Sequence, residues 1–80
     1  MHDLFALHRN DALRLLEDGH RHTLRLWKLS TGDILTYRNC KCIGGHKRRG
    51  IHRIKLPESS LIREFHDVAL FEIDEMKIYW

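Results

Sequence analysis

The run Thr23-Leu24-Arg25-Leu26-Trp27-Lys28-Leu29-Ser30-Thr31-Gly32-Asp33-Ile34-Leu35-Thr36-Tyr37 decides the fold class. Its apolar residues Leu24, Leu26, Trp27 and Leu29 give way to a cluster of turn formers in which Gly32 can adopt positive φ, and the apolar pattern resumes at Ile34, Leu35 and Tyr37. Two strands joined by a tight turn follow from that order. Downstream, the second strand is expected to run to Ile43, where Gly44 and Gly45 end it. A loop over residues 44–50 leads into a short basic strand, residues 51–56, which Pro57 closes because it has no N–H for a ladder. Residues 61–66 form a fourth segment that passes through Asp67 into residues 68–73. Asp74 and Glu75 separate that run from residues 76–80, with Phe71 and Ile73 before them and Ile78 and Trp80 after, as in a hairpin.

Upstream of the deciding stretch the character is helical. Asn10 and Asp11 can cap a helix over residues 11–18 whose Ala12, Leu13, Leu15 and Leu16 share one broad face, and Gly19 sits where such a helix stops. An earlier helical turn over residues 3–9, with Leu4 and Leu7 facing the same way, stays open. One short helix followed by five or six short strands predicts a mainly β (small α+β) fold, a strongly bent antiparallel sheet closing into an SH3-like barrel. Its expected core is Leu13, Leu16, Leu24, Leu26, Ile34, Leu35, Tyr37, Ile54, Leu56, Ile62, Val68, Leu70, Phe71 and Ile78.

At 80 residues, with 42% hydrophobic and 31% charged side chains, the chain has room for one domain, 1–80, with a thin core. A core this small is hard to hollow into an enzyme cleft, and support from self-association or a partner is in keeping with it. No stretch has the length and apolarity of a bilayer span, the start Met1-His2-Asp3-Leu4-Phe5 lacks the order of a signal peptide, and Cys40 and Cys42 stand one residue apart. These features imply a soluble cytoplasmic protein with no membrane partner.

The formal net charge is +3, and it is unevenly laid out. Residues 1–57 carry twelve Lys and Arg against five Asp and Glu, whereas residues 58–80 carry two against six. From Arg38 to Lys55 there are seven bases and no acid. Lys47, Arg48 and Arg49, at a tip bracketed by Gly45 and Gly50, together with Arg53 and Lys55, are the candidate nucleic-acid-binding residues, because clustered cations neutralise phosphates with little regard to sequence. Trp27, Tyr37, Tyr79 and Trp80 could stack on bases if exposed. An ordinary solvated hairpin tip and aromatic residues packed in the core are the bland alternatives.

Cys40, Cys42, His46 and His52 are of the right type for zinc, but residues two apart on a strand place their Cβ atoms roughly 6–7 Å apart, which suits neither a shared ion nor a disulfide. Two small thiols facing the core of one strand account for them, and no metal or other cofactor is expected. The seven histidines would carry the charge from +3 towards +10 on acidification if all were exposed. Catalytic signatures are missing: there is no Gly-x-Ser-x-Gly, no His-Glu-x-x-His and no Gly-x₄-Gly-Lys. His66-Asp67 and Glu72/Asp74 read as surface polarity, so no enzyme is expected.

The order of a short helix, then Thr23 to Leu35, then further bent strands resembles small SH3-like and Sm-like barrels, many of which bind RNA or assemble into rings. Sm-type signatures have no residue-by-residue match here, and no binding residue is carried over. Tyr37-Arg38-Asn39-Cys40 and Ile62 to Asp74 look like short bacterial proteins of phages and mobile elements that have no assigned activity. The function expected is therefore a small binding module that takes nucleic acid at its basic hairpin. The alternative is a structural or protein–protein interaction module. It would either form a homo-oligomer, the basic 38–55 region meeting the acidic 58–80 region of a neighbour, or dock on an acidic protein partner.

Overall fold

The computed structural model describes residues 6–58 and 61–79. The chain runs β1 (Ala6–His8), α1 (Arg9–Leu16), β2 (Arg21–Trp27), β3 (Ile34–His46), β4 (Ile51–Lys55), β5 (Ile62–His66), β6 (Leu70–Ile73) and β7 (Met76–Tyr79). Single turns of 3₁₀ helix at Lys47–Arg49 and Asp67–Ala69 link β3 to β4 and β5 to β6. The fold is mainly β, as the alternation implies. Its sheet, however, has seven strands in the order β1-β7-β6-β2-β3-β4-β5, so among the described residues it ends in two edges and does not close. Against the five or six strands expected, the seventh is β1, and the fourth segment counts as two strands. Ala6–His8 pairs in parallel with β7, where a helical turn had been left open, and the Asp67–Ala69 turn divides the fourth segment in two.

The hairpin that decides the fold forms as expected, with Trp27 opposite Ile34 and Gly32 at φ 79°. β3 continues through Gly44 and Gly45 to His46 instead of ending at Ile43. A Cβ on Gly45 would sit 2.4 Å from the Ile51 carbonyl oxygen, so glycine here lets β4 approach and the ladder go on. Two register shifts bend this long strand, one against β2 at Arg38 and Asn39 and one against β4 at Ile43. Asn39 adopts φ 54° and Gly44 φ 147°, conformations that let the extra residue bulge. Asp74 and Glu75, both at positive φ, make the two-residue turn between β6 and β7, the twist that suits a tight hairpin.

α1 starts two residues before the expected position. His8, not Asn10 or Asp11, caps it, the ring Nδ1 accepting the Asn10 N–H at 3.1 Å. Its Ala12 and Leu16 are buried against one face of the sheet. That covered face is built from alternate residues: His22, Leu24 and Leu26 of β2, Cys40 of β3, His52 and Ile54 of β4, Phe65 of β5, and Leu70 and Ile73 of β6. Leu13, Leu35, Tyr37, Leu56 and Ile78 pack against this core part-exposed. Ile34, Ile62 and Val68, expected inside, are exposed. Ile34 and Ile62 lie on the other face, opposite Trp27 and Lys55, and Val68 projects from the 3₁₀ turn. Phe71, also expected inside, is half-buried against Trp27, because a register shift beside Leu26 lifts it out of the alternation.

Candidate nucleic-acid interface

With α1 on one face, the other is left open to solvent. Strand pairing sets Arg21 opposite Lys41 and Lys41 opposite Lys55, so three cations stand in one row across β2, β3 and β4. Directly paired residues place their Cβ atoms only about 5 Å apart, and like charges so placed repel. Among the described residues none of the three makes an ion pair with a carboxylate. The Arg21 guanidinium is held by donating to the carbonyl of Asn39 at the bulge, 3.0 Å away. The row lines a groove of about 420 Å³ with Ile43, Leu56 and Pro57, so cationic heads flank an apolar strip.

The candidate binding residues separate into three positions. Lys55 belongs to this row. Lys47, Arg48 and Arg49 form the exposed 3₁₀ turn that Gly50 ends at φ 64°, about 15–20 Å along the hairpin at the usual strand rise. Arg53 is paired: its Nε donates to Glu64 Oε2 at 3.1 Å. Arg21 and Lys41 were both outside the candidate set, and strand register is what joins them to Lys55. Trp27 is 43% exposed and lies tilted on Phe71 with ring centroids 4.9 Å apart, and Arg25 stands 5.5 Å over the same phenylalanine. Tyr37 is half-buried, Tyr79 is exposed and meets the His8 ring edge-on at 5.5 Å, and Trp80 lies outside the described residues.

The covered face holds a second feature that sequence reasoning missed. His22, 6% exposed, sits between Asp18 (2.9 Å to Nε2) and Asp74 (2.5 Å to Nδ1). His52, 5% exposed, sits in the same way between Glu17 (2.7 Å to Nε2) and Asp67, which meets Nδ1. Glu17 and Asp18 are consecutive residues at the end of α1, so one short segment grips two strands through two imidazoles. Burial alone would push both imidazoles down. The hydrogen bonds and charges of the flanking carboxylates outweigh it, and both are held above the usual imidazole value of 6.5. His22 in turn draws the Asp18 carboxyl below its usual value. Asp74 also accepts the Thr23 N–H at 2.9 Å, tying the β6–β7 turn to β2. Asp67 and Asp74 are thus partners of enclosed imidazoles and not mere surface polarity, and with His22 and His52 buried the condition that all seven histidines be exposed is not met. The signal was there: His22 alternates with Leu24 and Leu26, and His52 with Ile54.

His52 also borders a cavity of about 280 Å³ with Glu17, Cys42, Gly44, Gly45, His46, Lys47 and Ile51. Both its ring nitrogens are already engaged, and burial pushes the Cys42 thiol up, so neither His52 nor Cys42 gives the cavity a free base or a thiolate. Cys40 is buried, its thiol pushed up to about 11 by burial while it donates to the His22 carbonyl at 3.2 Å. Both cysteines are free. The described residues contain no group of three or more His, Cys, Asp or Glu side chains placed to hold a metal ion. No helix among them is long and apolar enough to cross a membrane. No protein-family model, no curated protein and no solved structure matches the chain.

Proposed function

We propose that the chain is a small non-enzymatic module that binds single-stranded nucleic acid through its phosphates on the open face of the sheet. The observation that carries this is the Arg21–Lys41–Lys55 row, three cations set side by side by strand pairing with no acid among them. Three mutually repelling cations are stabilised together by a polyanion, whose phosphates recur along one strand and release counterions on binding. The apolar strip of the same groove and the exposed ring of Trp27 supply surfaces for bases to lie on. Lys47, Arg48 and Arg49 extend the contact along the hairpin. Support for an SH3-like core comes from the order β6-β2-β3-β4-β5, in which a 3₁₀ turn returns the last strand to the first, with β1 and β7 as additions.

Assembly by basic 38–55 against acidic 58–80 draws less support. Four of the six acids in that region are engaged inside the molecule, Glu64 on Arg53, Glu72 on Arg25, Asp67 on His52 and Asp74 on His22. An acidic protein partner would meet the same cations.

The test is anisotropy of a labelled single-stranded oligonucleotide across a salt series. Wild type is expected to bind with log K falling against log salt at a slope between about −2, for the three phosphates of the row, and about −4, when Lys47, Arg48 and Arg49 also engage a single strand. The Lys41→Glu/Lys55→Glu variant is expected to lose at least about tenfold in affinity while keeping its fold. Binding that ignores salt, or that the double variant leaves unchanged, overturns the proposal.

A further inference from the structure

We infer that Asn39 is a positioning residue of the cation row, holding the Arg21 guanidinium so that its planar fork meets a phosphate; this rests on the phosphate-binding reading of the open face. The side chains of β3 change their alternation at the bulge. Leu35 and Tyr37 turn to the covered face before it, and Cys40 and Cys42 do so after it. Inward positions are thus odd up to Tyr37 and even from Cys40, which marks one extra residue. Counted on from the pairing of Leu24 with Tyr37, an unbroken ladder would set Arg21 opposite Cys40 and turn Lys41 inward. With the extra residue, Lys41 stands opposite Arg21 on the open face.

Asn39 absorbs the extra residue at φ 54°, in the left-handed region that asparagine enters more readily than most residues with a side chain. Its carbonyl oxygen then lies 3.0 Å from Nη1 of Arg21. The carbonyl takes one guanidinium N–H and leaves the others for phosphate oxygens. Arg21 lines the groove with Lys41 and Lys55, and the three differ in kind. The lysines are point charges on flexible stems, whereas an anchored guanidinium presents parallel N–H groups with less rotamer freedom left to lose. Arg21 therefore sets where the nucleic-acid backbone sits, and the lysines add charge along it.

Anisotropy of a labelled oligothymidylate across a salt series tests it, with variants that keep the number of cations. Arg21→Lys is expected to bind about fivefold more weakly at an unchanged salt slope, because one ammonium cannot bond the carbonyl and present a fork together. Deletion of Asn39 makes the ladder regular with Lys41 still opposite Arg21, so it is expected to cost the same factor at the same slope and to add nothing to Arg21→Lys. Asn39→Gly, which takes positive φ and keeps the carbonyl, is expected to recover wild-type affinity. Nitrogen relaxation needs no nucleic acid: the Arg21 Nε–H is expected to be more ordered than those of Arg48 and Arg49 in wild type, and no more ordered in the deletion variant. Arg21→Lys with wild-type affinity, losses that add in the double variant, or an Arg21 Nε–H as mobile as those of the tip each overturn the inference, while salt-dependent binding by the wild type still upholds the reading of the face. A wild type that does not bind in a salt-dependent way overturns both. If the deletion variant does not fold, Arg21→Lys and the wild-type relaxation decide.

Discussion

The covered face of the sheet and one row of its open face treat charge in opposite ways. On the covered face each buried cation is an imidazole with a carboxylate on either side, Asp18 and Asp74 for His22, Glu17 and Asp67 for His52. On the open face Arg21, Lys41 and Lys55 stand together with no carboxylate among them. The difference separates what holds the molecule together from what it presents to others. Enclosed charge must be matched because desolvation is costly, whereas exposed charge can stay unmatched because water screens it. The uneven distribution along the chain follows from this: Asp67, Glu72 and Asp74 serve the interior and the sheet, and the cations of 38–55 mostly face solvent.

The contrast can be broken first at its strongest point. His52→Ala leaves Glu17 and Asp67 facing each other without their cation, and is expected to cost about 3 kcal/mol in urea denaturation while the folded fraction keeps its oligonucleotide affinity. A cost under about 1 kcal/mol would mean that the enclosed charges are not matched in the way described. Next comes pH. Both imidazoles are held above 6.5, so their contribution is fully present below that value and fades as pH climbs through the raised native values. Transition temperatures measured upward from pH 6.5 are expected to fall, and a flat profile would contradict the clamps. On the acid side, the lowered Asp18 carboxyl contributes above 3.8, and that contribution goes as pH falls through its native value. The smallest effect sharpens the other face. Lys41→Glu turns two repulsions into attractions and is expected to gain about 0.5 kcal/mol in stability as it loses nucleic acid. A loss of stability would show that the row is not repulsive.

The hairpin of β2 and β3 was readable because its turn formers lie between two apolar runs, and the strand character of β4 to β7 followed from short apolar stretches with punctuation. Closure was not readable, since it depends on whether β5 meets another edge, which no local pattern encodes. The extension of β3 past Gly44 was hidden for a related reason. Glycine marks chain breaks more often than strand interiors, and only the Ile51 carbonyl shows why position 45 has no side chain. The basic hairpin was legible as composition, but register alone joined Arg21 to it. The clamps were half legible: alternation puts His22 and His52 inward, while their partners come from 4, 15, 35 and 52 residues away.

The ladder between β2 and β6 joins Leu24 to Ile73, across most of the chain, whereas β2 to β3, β3 to β4 and β4 to β5 are each neighbours in sequence. Hairpins close quickly, and a contact that must first shut a long loop comes late. A meander of four strands is thus expected to exist before β6 arrives, with Leu24 and Leu26 on strands already ordered but one side of β2 bare. Arrival of β6 brings Asp74 to His22 and Thr23 in the same event, so one late step both pairs the bare side of β2 and completes the His22 clamp.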